Sequence, residues 1–270
     1  MKKAVVATRC STALGWRWNS LCLAIVLGVL PGSGLLAAPV VETLDGLEVN
    51  WSSQVVRFTG DASPEPQDAG SMKPAERRAR SVAVQNARAR FPRLVERAQS
   101  ANQSSRSEFN EAGKPFAESR SWNTTYFGDG RVRVHLEQSL AKLMSPLVTA
   151  GSQFPQTSVR GEAGASGVIL RLPKTIPARA VWELHDDAGR VAFSAATMSS
   201  DAFREGLMGR WFRRPSTAEL AQFVGENPLE IKISVVESDG RFVVPAGVWQ
   251  SMSESSTQLM AAGRMVLALP

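Results

Sequence analysis

Side chains that commonly carry out catalysis are scarce in this 270-residue sequence. A nucleophilic triad needs a serine, threonine or cysteine beside a base, usually histidine, that an acid holds in place. The histidines are His135 and His185, and both fall in runs of alternating apolar and charged residues, where a solvated strand face is a commoner explanation than catalysis. The glycines of residues 164–167 lack the spacing of a nucleophile elbow. The sequence therefore predicts no catalytic residue.

Metal and cofactor sites are also not indicated. Asp186 and Asp187 are adjacent in a predicted turn, and carboxylates beside a turn glycine normally form the turn itself. Two distant histidines and no nearby cysteine do not make a metal-ligand set. Gly128-Asp129-Gly130 lacks the third glycine of a dinucleotide fingerprint and precedes a strand. We expect neither a metal nor a cofactor.

Arginine is concentrated in two segments, and basic clusters of this kind can bind nucleic acid. The first cluster lies on a predicted helix, where a solvated helix face accounts for most of it; its members are Arg77, Arg78, Arg80, Arg88, Arg90, Arg93 and Arg97. A basic leader followed by an apolar block within residues 1–38, described below, predicts export from the cytoplasm. Export argues against a nucleic-acid partner.

The second cluster surrounds two aromatic side chains and is the candidate partner-binding site. It consists of Arg210, Trp211, Phe212, Arg213 and Arg214. Two explanations stay open: a buried aromatic anchor, or an amphipathic contact for a protein partner or an anionic lipid head group. Core packing is the preferred explanation.

The N-terminus has the pattern of a signal peptide over residues 1–38. A basic leader precedes an apolar block at residues 21–30, Pro31 follows, and small residues end at Ala38; the basic residues are Lys2, Lys3, Arg9 and Arg17. We expect cleavage near Pro39. The alternatives are an uncleaved anchor helix and a lipoprotein attached through Cys22, although the residues before Cys22 do not resemble a lipoprotein cleavage box.

Composition favours a folded exported protein. With 43% apolar and 21% charged residues, and no second apolar run long enough to span a bilayer, the chain is neither generically disordered nor a polytopic membrane protein. Removing the leader takes away four of the 31 basic residues and both cysteines, which leaves 27 basic against 25 acidic residues. A nearly neutral chain without cysteine fits the periplasm of a two-membrane bacterium.

Residues 39–148 are predicted to form a first α/β domain. An extended run at 49–58 is followed by a Pro-rich loop at 61–74 and an amphipathic helix at 75–98. The apolar stripe of this helix is mostly alanine, which predicts close packing on a sheet, and Pro92 is expected to kink or end the helix. Residues 119–127 and 131–137 predict a β-hairpin.

Residues 149–166 are predicted to be a linker, and 167–270 a second, β-rich α/β domain. Strands are expected at 167–172, 180–185, 191–194, 229–237, 241–244 and 265–269. Helices are expected at 201–208 with Asp201 as N-cap, at 217–224 with a Ser216/Glu219 capping box, and at 246–254.

Parts of the chain resemble a known exported family. The Asn50-Trp51 strand, the Pro-rich joint, the Ala- and Arg-rich helix, and the segments 167–170 and 225–232 are similar to the twenty-kilodalton bacterial lipoprotein family and the N-terminal domain of flagellar assembly protein T. The resemblance implies an α/β sandwich in the periplasm, often at the outer membrane, that acts as a non-enzymatic assembly part. It implies no catalytic residues, and the chain departs from the lipoprotein pattern in lacking a clear lipobox.

The sequence thus predicts an α+β fold of two units, each with a small, mostly antiparallel sheet covered by one or two helices. The predicted function is a non-catalytic cell-envelope protein that binds other envelope proteins or its own copies, linked to the flagellar basal body or outer membrane, with a peripheral membrane contact as an option. The alternative is a periplasmic enzyme of an unrecognised type.

Overall fold

The computed structural model describes residues 37–68, 70–98, 114–147, 164–237, 241–245, 247–248 and 254–270. The strands are β1 (Ala38–Pro39), β2 (Val41–Leu44), β3 (Leu47–Asn50), β4 (Val55–Ala62), β5 (Arg120–Tyr126), β6 (Val132–Ser139), β7 (Gly167–Arg171), β8 (Glu183–Asp186), β9 (Val191–Phe193), β10 (Arg210–Arg213), β11 (Pro228–Lys232), β12 (Val235–Val236), β13 (Arg241–Val244) and β14 (Met265–Leu269). The described helices are α1 (Lys73–Ala98), α2 (Leu140–Met144), α3 (Ser200–Gly206), α4 (Thr217–Val224) and α5 (Glu254–Ala261). The predicted signal peptide and most of the predicted linker lie outside the described residues.

The N-terminal sheet has the strand order β2-β3-β4-β6-β5, and all its pairings are antiparallel. The hairpin of β5 and β6 confirms the prediction, and Val132, Val134 and Leu136 are buried on one face of β6. That face packs against α1.

Helix α1 confirms the predicted alanine stripe and continues through Pro92 to Ala98. Ala75, Ala79, Ala83 and Ala87 are completely buried. Opposite them, a Cβ on Gly60 would lie 2.2 Å from the Ala79 carbonyl oxygen and 2.3 Å from the Ala83 nitrogen. Side chains this small on both elements let the helix backbone approach the sheet backbone closely.

Two further sheets form the C-terminal part. One has the order β1-β10-β14-β7-β11, in which the pairings from β10 to β11 are parallel and β1 is antiparallel to β10. The other has the order β12-β13-β8-β9, with β13 and β8 parallel. Antiparallel pairings still outnumber parallel ones across the described sheets, and the predicted α+β class is confirmed.

Several local expectations differ from the structure. Ser199, rather than Asp201, caps α3, because its hydroxyl accepts the Ala202 N–H at 3.2 Å. The single strand expected at 229–237 is divided into β11 and β12, which join different sheets. Most of the helix expected at 246–254 lies outside the described residues, and α5 was not predicted. The Ser216/Glu219 capping box is confirmed.

The described residues between Ala37 and Pro270 form one compact unit, and a turn at residues 51–54 connects the first sheet to the C-terminal part. Gln54, which has a positive φ of 58°, donates from its amide to the carbonyl oxygens of Gly206 at 2.6 Å and Gly209 at 3.0 Å. The Ser52 hydroxyl accepts the Val40 N–H at 2.8 Å. Among the described helices, none combines the length and apolarity needed for a membrane span.

Candidate functional site

The predicted partner-binding segment forms β10 and the residue after it. Trp211 and Phe212 are buried, at 1% and 7% exposure, whereas Arg213 and Arg214 are exposed. The Trp211 indole N–H donates to the Arg179 carbonyl oxygen at 2.9 Å, and the Phe212 ring lies 5.0 Å from that of Phe223. The two aromatic side chains therefore belong to the core, as the packing explanation requires, and they are not available to a partner.

Arg210 contacts the protein's own chain. Its guanidinium donates to the Ser52 carbonyl oxygen at 3.0 Å and lies 5.4 Å from the centre of the Phe223 ring. Burial lowers the pKa of Arg210 from its usual value. Of the five predicted residues, only Arg213 and Arg214 have an exposed position from which to contact a partner, and for them that role stays a prediction.

A different surface has the features of a contact site: the face of the N-terminal sheet opposite α1, which we call the Trp122 face. It is defined by Arg57 on β4, Arg120 and Trp122 on β5, and His135 and Glu137 on β6. Trp122 is 48% exposed, although a tryptophan gains most from burial. The register of β5 and β6 shifts between Ser121 and Asn123, so that Trp122 lies at a β-bulge and has no partner residue in the ladder.

A row of alternating charges crosses four strands of this face. Glu48, Arg57, Glu137 and Arg120 lie on β3, β4, β6 and β5, and each is opposite the next in the strand register. Arg57 is 3.3 Å from Glu48 and 3.4 Å from Glu137, and Arg120 also pairs with Glu137. The row gives the open face a fixed charge pattern, with Trp122 beside it.

Trp122 is held by two neighbours. The Arg57 guanidinium lies 4.9 Å from the indole centroid, and the His135 ring packs edge-on at 5.3 Å. These contacts restrict the indole without burying it. A restricted, exposed aromatic side chain loses little conformational entropy when a partner covers it.

A second charge pair, between Asp61 and Arg133, lies along the same face. Arg133 donates to both carboxylate oxygens of Asp61, at 2.7 and 2.8 Å. The hydrogen bonds from Arg133 lower the pKa of Asp61, and the same pairing raises the pKa of Arg133. Both groups therefore keep their charges at neutral pH, as expected for positioning charges rather than for a proton-transferring acid.

The solvated strand face expected for both histidines is wrong for His185. His185 is buried rather than on a solvated face, and its ring nitrogens contact Glu183 Oε2 at 2.9 Å and the Gly189 carbonyl oxygen at 3.3 Å. Asp186 forms the turn as predicted: it accepts the N–H groups of Ala188 and Arg190, and the Arg190 hydrogen bonds lower its pKa. No group of three potential metal ligands occurs among the residues described.

Sequence reasoning did not identify the Trp122 face. A signal was present, since Trp122 stands among the small polar residues Ser121, Asn123 and Thr124 on a predicted hairpin arm. A large aromatic side chain in such a run indicates an exposed anchor or a bulge. The alternation rule alone assigns Trp122 to one face without showing whether that face is covered.

A scan of the chain against protein-family models finds no match, and a search of curated proteins finds no significant match. The resemblance to the lipoprotein and flagellar families therefore stays a prediction.

Proposed function

We propose that this chain is an exported, non-catalytic binding component of the bacterial cell envelope, and that it contacts another envelope protein through the Trp122 face. The observation that carries this proposal is a half-exposed tryptophan, fixed by Arg57 and His135 on an open sheet face. Tryptophan and arginine are the residue types that most often dominate the binding energy of protein interfaces.

The charges around Trp122 support a contact role. Glu137 is only 8% exposed at its side chain and is paired with Arg57 and Arg120, so its negative charge is neutralised locally. Arg120 remains 81% exposed at its side chain. Charges in a rim around an aromatic centre select and orient a partner more than they add affinity.

The proposed location is the periplasm. It is supported by the signal-peptide pattern of residues 1–38 and by the cysteine-free remainder of the chain. The outer membrane and the flagellar basal body are the envelope structures to which the resemblance points. Fractionation of the tagged protein, combined with motility scored in a deletion strain, tests this part of the proposal.

The contact surface is tested with Trp122→Ala. Truncation of an anchor of this kind typically costs about 2 kcal/mol of binding free energy, which is about 30-fold in affinity. We expect wild-type protein to be retained on envelope fractions and Trp122→Ala to elute early. The melting temperatures of the two proteins should be close, because Trp122 is half-exposed.

Val191→Ala is the matched control, since Val191 is 55% exposed on β9 in a different sheet. It should be retained like the wild type. Equal retention of Trp122→Ala and wild type would exclude the Trp122 face as the contact. A wild-type monomer by light scattering that no envelope fraction retains would contradict the binding function itself.

A further inference from the structure

The outer edge of β5 has no neighbouring strand in the part of the chain that the structure describes. In the N-terminal sheet β5 pairs with β6 on one side, and no other described strand pairs with it on the other side. From Ser121 to Tyr126 the strand carries no charged residue, and most of it is exposed. Natural edge strands usually carry charges or prolines that prevent pairing with another chain, so an uncharged edge is a ready template for strand addition.

The hairpin register shows which backbone groups face this edge. The Phe127 N–H donates to the Arg131 carbonyl oxygen at 2.9 Å, which makes these two residues a hydrogen-bonded pair. Hydrogen-bonded and non-hydrogen-bonded pairs alternate along an antiparallel ladder. Tyr126 and Thr124 therefore belong to non-hydrogen-bonded pairs, and their N–H and C=O groups point away from β6, towards the open edge.

A groove of about 310 Å³ runs between this edge and the N-terminal half of α1. Its lining residues are Lys73, Glu76, Arg77, Arg80, Ser121 and Val134. Two contacts hold the helix against the strand: the Tyr126 hydroxyl donates to Glu76 at 3.4 Å, and the Arg80 guanidinium donates to the Ser119 carbonyl oxygen. The groove therefore extends along β5 on the side opposite Trp122.

The groove has an excess of positive charge. Its lining contains three basic side chains, Lys73, Arg77 and Arg80, and one carboxylate, Glu76. Asp68 outside the lining also interacts with Arg77, since the hydrogen bond from Arg78 lowers the pKa of Asp68 most and the charge of Arg77 adds to this lowering. The neighbouring Arg78 differs, because it is paired with Asp68 and with Glu65 at 3.2 Å. Lys73 and Arg77 are exposed, and none of the described carboxylates lies within ion-pair distance of them. The charge that would complement this groove is negative.

We infer that the β5 edge and this groove bind an extended, acidic segment of a partner protein. The segment adds to the sheet as a strand beside β5 and hydrogen-bonds to the outward groups of Thr124. Alternate side chains of a strand point to the same face, so acidic residues at every second position face Lys73 and Arg77. This site is separate from the Trp122 face and does not depend on it.

The test uses the full chain and two short fluorescent peptides, one of alternating threonine and glutamate and one of alternating threonine and lysine. Fluorescence anisotropy should show binding of the glutamate peptide, weakening as salt is added, and no binding of the lysine peptide. Lys73→Glu/Arg77→Glu should weaken glutamate-peptide binding about tenfold or more. Lys174→Glu, an exposed charge reversal in the loop after β7, should leave binding unchanged.

Backbone pairing is tested separately. Thr124→Pro removes an outward N–H without removing a ladder bond to β6 and should abolish binding, whereas Thr124→Val keeps that N–H and should bind normally. If Thr124→Pro melts early, a proline in the middle of the glutamate peptide replaces it as the test, and that peptide should not bind.

Three results would overturn the inference: no binding of the glutamate peptide, equal binding of both peptides, or full binding by Lys73→Glu/Arg77→Glu. A wild-type dimer that Thr124→Pro converts to a monomer, with no peptide binding, would assign the edge to a second copy of this chain instead. Trp122→Ala should keep peptide binding, so a failure here is distinguishable from a failure of the proposed envelope contact.

Discussion

Glu230 provides a quantitative test of how the C-terminal sheet is held together. Its carboxylate on β11 accepts from Arg171 on β7 at 2.8 and 3.2 Å and from the Thr217 hydroxyl at the start of α4. Arg171 also donates to the Pro215 carbonyl oxygen at 3.0 Å. The hydrogen bonds from Arg171 and then Thr217 lower the pKa of Glu230 from 4.5 to about 2. One carboxylate thus connects two strands to the helix that follows β10.

The pKa gives an upper limit for the contribution of this charge. At about 1.4 kcal/mol per pKa unit, the lowering from 4.5 to about 2 corresponds to about 3.5 kcal/mol. The Glu230 side chain is 37% exposed and that of Arg171 is 28% exposed, so solvent screening reduces the contribution. We expect Glu230→Gln to lower the free energy of unfolding by about 1 to 2 kcal/mol at neutral pH.

The pH dependence has a definite sign. Because folding depresses the pKa of Glu230, its stabilisation is fully present above the unfolded value of 4.5 and is lost as the pH falls towards about 2. Urea unfolding followed by tryptophan fluorescence should therefore show a constant difference in the free energy of unfolding between wild type and Glu230→Gln above about pH 5. This difference should become small near pH 2.

Glu226→Gln is the matched control, because Glu226 is an exposed carboxylate in the loop just before β11. It should unfold like the wild type at every pH. Two results would contradict this role of the Glu230 charge: a Glu230→Gln variant as stable as the wild type at pH 7, or a loss of stability that stays the same from pH 7 to pH 2.

Two other perturbations test the helix contact and the arginine segment. Gly60→Ala should lower the free energy of unfolding, measured with urea, by about 2 kcal/mol or more, because its Cβ would meet backbone atoms of α1. Gly128→Ala is the control and should lower it little, because no atom of the described chain beyond its neighbours lies within 4 Å of its Cβ. Equal losses in the two variants would contradict the close packing of α1 on the sheet. If the exposed residues Arg213 and Arg214 form a contact, Arg213→Glu/Arg214→Glu should abolish pull-down of envelope partners and leave the melting temperature unchanged. Unchanged pull-down would exclude that role.

Local patterns predicted α1 and the hairpin of β5 and β6, whereas the extended run expected at 49–58 is divided into β3 and β4 by the turn at 51–54. The alanine stripe of α1 follows the helical period, and the hairpin of β5 and β6 surrounds a glycine-rich turn, so both could be recognised from neighbouring residues. The role of Gly60 could not be recognised in the same way. A glycine is needed there because backbone atoms of Ala79, on another element, lie where a Cβ would be. A pattern confined to one element does not contain the position of its partner.

The C-terminal part shows the same limit. Alternation predicted strands at 167–172 and 265–269, but not that β7 and β14 would pair in parallel, since strand period indicates a buried face and not a neighbour. The continuous alternation over 229–237 concealed the break between β11 and β12. That break follows from tertiary pairing, because β11 pairs with β7 and β12 pairs with β13.

The arginine and aromatic segment at 210–214 shows why composition alone does not separate a contact surface from a packed core. Its aromatic side chains are surrounded by the core, and Arg210 binds the Ser52 carbonyl of the turn at 51–54. A cluster that is attractive for a partner is equally attractive for another part of the same chain. Only long-range contacts distinguish the two cases.

The two proposed contact surfaces lie on opposite sides of β5. Trp122 lies with Arg57 and Arg120 on the side of the sheet opposite α1, whereas Ser121 lines the groove beside α1. One partner could contact both surfaces only by passing around the edge of β5, and strand addition at that edge would occupy this route. On this proposal the two surfaces contact different segments, so Trp122→Ala and Lys73→Glu/Arg77→Glu should each weaken one interaction and leave the other intact.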